Sequence, residues 1–505
     1  MKKTTALRMI SLILVLIFAL SAFIGCSKND ETEETQQSVN TTPTEDDGFV
    51  KDDLPATMDF DGKEVSFMIC GGSYAKFYQE GASPHIVNNE IFLATQRVNE
   101  RLNVELKFVE NSFIWDDRGV AYNKICNDIM NGLFECDIIA GHSYIPMYGS
   151  TELFTDLSEL ENVNLSKPWY DQGMKSVWGD DIYGIRSEGA VNNIQKLACV
   201  FFNQKALSDK GITENLYDTV YNGEWTLEKL EQLVANTFVS TDDVQSADDS
   251  FGVTFSDGNA FTPFGISLGV KLYERQGDGT YKYNAASARN IDIMDSLRKF
   301  VNNNQNVLTS YNNESEEYKI STTGQSGVSR VFAQGRALFM FGCFENGGVI
   351  LSQNTFDPKS LGVLPYPKYD ADQKDYAVTV NNVGTCFFVP ITVSDPDCVG
   401  AVFEAWNSDF YRNVTPIYFE TIVKVRYSSD NEMSEMFDFI RSKLTCTFEY
   451  MFEDPEIMTM GSAEIKNCIS GIRGLTSWRV IAKQNENVAN LELNNIMKKY
   501  GMISE

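Results

Sequence analysis

Histidine is almost missing from this chain. Among 505 residues there are two, His85 and His142, and neither has a partner at a recognisable catalytic spacing. There is no G-x-S-x-G elbow, no H-E-x-x-H pair and no phosphate-binding loop; Gly324-Gln-Ser-Gly lacks the spacing of the elbow. No C-x-x-C pair and no Cys/His cluster occurs, which argues against a zinc site, so neither metal nor cofactor is expected. Cationic side chains are scarce: 42 Lys and Arg against 70 Asp and Glu leave a formal net charge of -28. Nucleic acid and anionic lipid both require a basic surface, so neither is expected as the main partner. Long apolar runs are missing too, with one exception at the start of the chain.

That exception follows Lys2 and Lys3 and runs from Ile10 to Ile24, broken only by Ser11 and Ser21. It falls short of the roughly 20 apolar residues of a comfortable membrane span. A basic start, a short apolar core and a small residue before the cut describe a secretion signal over residues 1–25, with an uncleaved anchor as the alternative. Phe23-Ile24-Gly25-Cys26 resembles the lipobox of bacterial lipoproteins, in which the cysteine is acylated, with palmitate for example, and becomes the mature N-terminus. Phe23 stands where leucine is usual. Residues 26–58 then read as a lipidated Cys26 and a flexible acidic tether, because Ser27 to Asp53 is rich in Thr, Ser, Gln, Asp and Glu. The expected location is the outer face of the cytoplasmic membrane, with the bilayer held through Cys26.

The remaining 450 or so residues are too many for one core and suggest two lobes. Nine cysteines beyond Cys26 lie singly, mostly in apolar company such as Cys386-Phe387-Phe388, where a thiol acts as a small core residue. Val65 to Cys70 is a short apolar strand closed by Gly71-Gly72. Ile91, Phe92, Thr95, Val98 and Leu102 share a helical face, and Val104, Leu106 and Phe108 alternate as a second strand. A helix around Ile125 and a strand at Cys136 to Ala140 complete an α/β unit with a largely parallel sheet. Trp178 to Ile185 reads as a hairpin or strand pair, and Gln195 to Phe202 as a strand. Thr226 is a helix N-cap. Gly277-Asp278-Gly279 marks a β-hairpin. Ala337 to Phe341 is a buried strand, Val378 to Val389 an extended segment, and helical periodicity dominates from Asp395.

Four ordered stretches carry a family resemblance. They are Thr155-Asp-Leu-Ser-Glu-Leu with Pro168-Trp-Tyr and Tyr183-Gly-Ile; Phe201-Phe-Asn-Gln-Lys-Ala-Leu; Gly223-Glu-Trp-Thr-Leu-Glu-Lys-Leu; and Gly335-Arg-Ala-Leu-Phe-Met-Phe-Gly followed by Leu361-Gly-Val-Leu-Pro-Tyr-Pro. In this order, after a lipobox, they resemble the extracellular solute-binding proteins of ABC importers, in the large family that takes up sugars. The resemblance implies an α/β, two-lobed periplasmic-binding-protein-like fold with an interlobe cleft and a hinge crossed more than once. It places one lobe at 59–185 plus 330–378 and the other at 190–325 plus 385–505. It also implies a monomer that delivers a carbohydrate, expected to be an oligosaccharide, to the membrane subunits of an ABC permease by lobe closure.

Ligands of open parallel sheets bind beyond the carboxyl ends of strands. Three expected strands end in glycine followed by polar or aromatic groups: Gly72-Ser73-Tyr74, Gly141-His142-Ser143-Tyr144 and Gly342-Cys343-Phe344-Glu345. Tyr74, Tyr144 and Phe344 suit the C–H faces of a sugar, and Ser73, His142 and Glu345 its hydroxyls. Trp478, in an expected loop, is a stacking platform of the same kind, as are Trp115 and Trp178. Trp225 and Trp406 read as packing, and Asn192-Asn193 falls at the expected crossing. The rival reading is a secreted lipoprotein hydrolase of carbohydrates, since two-carboxylate chemistry leaves no motif.

Overall fold

The structure, a computed structural model, describes residues 49–71, 77–240, 248–256, 260–302, 304–309, 327–352, 357–380, 384–419, 431–454, 457–471 and 476–504. The expected signal, Cys26, most of the tether, Ser73, Tyr74 and much of the polar stretches 240–250 and 302–327 lie outside the described residues. Residues 50–505 form one compact unit. Its strands are β1 (Lys63–Cys70), β2 (Val104–Asn111), β3 (Ile138–His142), β4 (Ile185–Arg186), β5 (Ala198–Asn203), β6 (Phe251–Phe255), β7 (Tyr273–Arg275), β8 (Tyr281–Tyr283), β9 (Val307–Leu308), β10 (Ala337–Cys343), β11 (Leu361–Leu364) and β12 (Thr385–Phe388).

Two five-stranded sheets organise the unit, in the orders β2-β1-β3-β12-β4 and β11-β5-β10-β6-β9, beside the small β7-β8 hairpin. In the first sheet β1 runs parallel to β2 and β3, while β12 pairs antiparallel with both β3 and β4. The helix Ile86–Leu102 turns Val87, Ile91, Ala94, Val98 and Leu102 to the core. Asn103 ends it in the left-handed region (φ 48°), letting β2 start at once. The helix Pro396–Asp409, capped by the Asp395 carboxylate on the Cys398 N–H, covers the same sheet. In the second sheet β10 is the central strand: every residue from Ala337 to Cys343 is buried, as a strand covered on both faces requires.

Pairing overturns the expected division of the chain. Segment 330–378 does not return to the first lobe: β10 and β11 pair with β5 and β6. Nor does 385–505 belong wholly to the second, since β12 and the helix Pro396–Asp409 join the first sheet. A strand apolar on both faces fits the middle of either sheet, so composition does not choose between them; backbone pairing does. The expected hairpin at Trp178–Ile185 is also absent. Trp178 ends a helix, Gln172–Trp178, because the Asp171 carboxylate accepts from the Met174 N–H and starts that helix. Trp225 and Trp406 are core side chains, as read, with their Nε1–H groups donating to Pro365 and Gly189 carbonyls at 2.9 and 3.0 Å.

Three connections between the sheets lie side by side. Leu197 bridges Val380, Val378 bridges Leu444, and the Ala198 and Thr445 N–H groups donate to Thr379 and Val378 carbonyls at 3.0 and 2.7 Å. The described cysteines beyond Cys26 are all buried and form no disulfide.

At one place the second sheet depends on a missing side chain. Gly362 stands opposite Phe202 in the antiparallel β11–β5 ladder, and the Phe202 ring lies where a Cβ would project. Gly362→Ala is expected to cost about 1–3 kcal/mol through overpacking, read as a lower urea midpoint at unchanged m-value.

Candidate functional site in the interlobe cleft

The Trp169–Asp171 segment runs against the edge of β4. Tyr170 bridges Ser187, the Glu188 N–H donates to the Trp169 carbonyl at 2.9 Å, and the Asp171 N–H donates to the Arg186 carbonyl at 3.0 Å. The first sheet thus gains an extra edge at the point where the chain leaves it. Asn193, in the short helix Asn192–Gln195 that begins the crossing, donates through Nδ2 to the carbonyls of Ser187 (2.7 Å) and Thr385 (2.8 Å). These bonds tie the crossing to β12 and to the end of β4.

A cleft of about 210 Å³ opens there. One wall is Pro168–Gln172 with Arg186–Glu188; the other comes from the connections, Asn193, Ile194, Leu197 and Val380, and from Arg441, Ser442 and Leu444. The helix that brings Arg441, Asn431–Ser442, packs on β11 of the second sheet. Elements of both sheets therefore enclose the space.

Four charges line it, in two pairs. Arg186 donates through Nε to Asp171 at 2.9 Å, and both side chains are almost wholly buried. Coulombic attraction from Asp171 holds the Arg186 guanidinium charged against the cost of burial. Arg441 donates through Nε to Glu188 Oε1 at 2.9 Å, with its guanidinium over the rings of Tyr411 (5.4 Å) and Phe419 (5.7 Å). Tyr411 belongs to a widened helical turn, Phe410–Val414, and its ring meets Trp169 at 5.7 Å. Tyr170 is held from behind by Glu404, whose carboxyl accepts its hydroxyl at 2.7 Å. Apart from Arg186 Nη2, which lies against Asp171, four lining side chains keep a buried polar atom with no hydrogen-bond partner among the described residues: Trp169 Nε1, Ser187 Oγ, Glu188 Oε2 and Asn193 Oδ1. Buried polar atoms are normally paired, so each of these leaves a hydrogen bond open to a water or a ligand.

Of the expected site residues, Ser73 and Tyr74 lie outside the described residues, and His142, Tyr144, Phe344, Glu345 and Trp478 are not among those lining this cleft. His142 and Tyr144 are buried together, ring centroids 4.0 Å apart, beside Trp115, and the Tyr144 hydroxyl donates to Glu453 at 3.2 Å. Burial, helped by the charges of Arg186 and Arg118, pushes His142 down to about 3, so it is neutral in neutral solution. Phe344 is buried against Phe437 and Phe419, and Glu345 is ion-paired with Lys196; both sit beside the crossing, behind the wall. Trp478 opens the C-terminal helix Trp478–Lys499, fully buried, its Nε1–H donating to the Ala285 carbonyl at 2.9 Å. Trp178 is likewise core, donating to the Gly184 carbonyl at 2.6 Å. The strand-end rule points to glycine turns, but Glu453 lies over Tyr144 and Phe419 and Phe437 lie against Phe344, and local sequence does not place these partners. Pro168-Trp169-Tyr170 and Asn193 had a signal, as the approach to the crossing. Arg441, 253 residues from its partner Glu188, had none. Among the described residues no group of three or more His, Cys, Asp and Glu side chains comes together to hold a metal.

No protein-family model and no curated protein matches the sequence. Solved structures do match. The galacto-N-biose/lacto-N-biose I-binding protein of an ABC transporter from Bifidobacterium longum, in complex with lacto-N-biose, aligns at a TM-score of 0.55 and 12% identity, covering 87% of this chain and 98% of that one. The sugar-binding protein MalE from Xanthomonas citri aligns at 0.55 and 11%, covering 86% and 98%. An ABC substrate-binding protein from Listeria monocytogenes, in complex with cycloalternan, aligns at 0.51 and 12%, covering 86% and 100%. At these identities the likeness is one of fold: the chain has the two-lobed architecture of ABC solute-binding proteins.

Glu404 makes the site sensitive to pH through its support of Tyr170. Burial pushes its carboxyl up from 4.5 to about 7, against the opposing pull of hydrogen bonds from Tyr170 and the Asn164 N–H. The folded value lies above the unfolded one, so the unfolded chain loses this proton first. The stabilising contribution is complete below about pH 4.5 and is lost as pH rises towards about 7. Glu404→Gln keeps an acceptor for Tyr170 and removes that dependence. Denaturation at about pH 5, 6 and 7 should then show a decline shallower by up to about 1.4 kcal/mol per pH unit; an identical slope would show that another group carries it.

Proposed function

We propose that this protein is the solute receptor of an ABC importer and that its interlobe cleft holds a carbohydrate. The observation that carries the reading is the cleft itself, enclosed by elements of both sheets, with Trp169 and Tyr170 on one wall and unpartnered Ser187 Oγ and Glu188 Oε2 among its lining groups. Aromatic faces suit the C–H patches of a sugar, and polar atoms lacking partners suit its hydroxyls. The three structural relatives are sugar-binding or substrate-binding proteins by description, and two hold carbohydrates. Signal, Cys26 and tether would keep the receptor on the outer face of the cytoplasmic membrane, acting as a monomer beside its permease. No described helix is long and apolar enough to cross a membrane.

Action would be closure. A ligand on one wall gains further contacts when the other approaches, which favours the closed state, and that shape is what the permease reads. The protein performs no chemistry on its cargo. A glycoside hydrolase needs one protonated carboxyl beside an ionised one. Both carboxylates of this cleft are instead committed to guanidinium groups.

A thermal-shift screen of the detergent-solubilised protein against sugars, amino acids and peptides is the direct test. A ligand at about 100 times its dissociation constant should add about 2.7 kcal/mol of stability. Ser187→Ala removes a hydroxyl without a partner in the free protein, so folding should be unaffected while affinity falls roughly two- to tenfold, the worth of one hydrogen bond. A panel that yields only peptide or amino-acid ligands would sink the carbohydrate reading. Separately, Cys26→Ser should move the protein from the membrane fraction to the medium; retention on the membrane would mean that the apolar run and not the lipid holds it.

A further inference from the structure

We infer that the cleft is built for a single uncharged sugar ring and discriminates against charged sugars and longer chains. The inference rests on the carbohydrate reading above and narrows it. Size is the first ground. A cleft of about 210 Å³ falls below the roughly 300–1,000 Å³ of sites that take drug-sized ligands. It is closed on one side by Trp169 and Tyr170 and on the other by Leu197, Val380 and Leu444.

Charge is the second ground. The ionisable groups of the lining are Asp171, Arg186, Glu188 and Arg441, and they cancel within the cleft as Arg186–Asp171 and Arg441–Glu188. A uronate entering here would find each guanidinium already neutralised and a carboxylate beside it. A protonated amino sugar would meet each carboxylate already satisfied by an arginine. Either ion would leave water without a counter-charge, and an unpaired buried charge is costly. An uncharged ring loses only hydroxyl hydration.

The hydrogen-bonding inventory agrees. Glu188 Oε2 and Asn193 Oδ1 accept only, Ser187 Oγ can accept or donate, and Trp169 Nε1–H donates only. The cleft therefore asks for groups that both donate and accept. Sugar hydroxyls do both, whereas a carboxylate substituent only accepts and leaves the acceptors unanswered. Glu188 is the specificity-determining residue, because its Oε1 accepts from Arg441 and cancels that charge at the wall of the cleft.

The experiment is isothermal titration of the whole detergent-solubilised protein with galactose, glucose, xylose, galacturonate, glucosamine and maltotetraose. One neutral monosaccharide should bind, its charged derivatives at least tenfold more weakly, and maltotetraose no more tightly. Glu188→Gln leaves Arg441 without its counter-charge, so the ratio of galacturonate to galactose affinity should rise at least tenfold. If that variant does not fold, the wild-type series decides alone. Galacturonate, glucosamine or maltotetraose binding more tightly than every neutral single ring overturns the inference while the carbohydrate receptor stands. Silence from all six sugars, with an amino acid or peptide binding in the same cell, overturns the receptor reading as well. An unchanged affinity ratio in folded Glu188→Gln removes the assigned role of Glu188 and, with it, the charge argument.

Discussion

The Arg186–Asp171 pair is the constraint on which the cleft depends. Both groups are almost wholly removed from water, and losing either partner of such a pair leaves an uncompensated charge at a cost of about 3–5 kcal/mol. The two residues therefore stay together, and what they join stays with them. Arg186 is the end of β4, the last strand of the first sheet; Asp171 starts the helix Gln172–Trp178. Backbone bonds along Trp169–Asp171 and Arg186–Glu188 extend the contact into an additional sheet edge. One wall of the cleft is the direct product.

The opposite wall is anchored by the second ion pair, and the two differ in a way that matters for motion. Arg186 and Asp171 come from the same side of the cleft. Glu188 and Arg441 come from opposite sides, Glu188 beyond β4 and Arg441 from the helix on β11. The first pair makes a rigid surface, the second a contact that spans the gap. The three connections pair with one another at Leu197–Val380 and Val378–Leu444, the bridges that join the crossings side by side. Narrow backbone continuity with a side-chain contact across the gap is the geometry of a hinge, where a few dihedrals absorb the rotation.

Much of the architecture was legible because the local signals are strong. The alternation of β2, the helical face of Ile86–Leu102, the N-cap at Thr226 and the turn between β7 and β8 all appear near their expected places. The site was less so. Glycine at a strand end is a sound pointer to a turn, but it carries no information on which distant segment will cover that turn. His142, Tyr144 and Phe344 were read as open and are covered; Trp478 was read as a loop platform and is the buried first residue of a helix. In each case the covering segment lies far along the chain: Glu453 over Tyr144, Phe437 against Phe344, Ala285 on Trp478.

The sequence by itself determined the classes of element, the apolar content of two sheets, the acidic charge, the scarcity of histidine and the scatter of the cysteines, and an order of motifs that pointed to two lobes. These are properties of residues and of their near neighbours, within reach of a period of two or 3.6. Tertiary structure alone decided which sheet received β10, β11 and β12, and which charged side chains met across the gap. Those choices depend on backbone pairing and burial between residues far apart along the chain. A uniformly apolar strand is compatible with either sheet, and a lone arginine on a helix is compatible with any carboxylate.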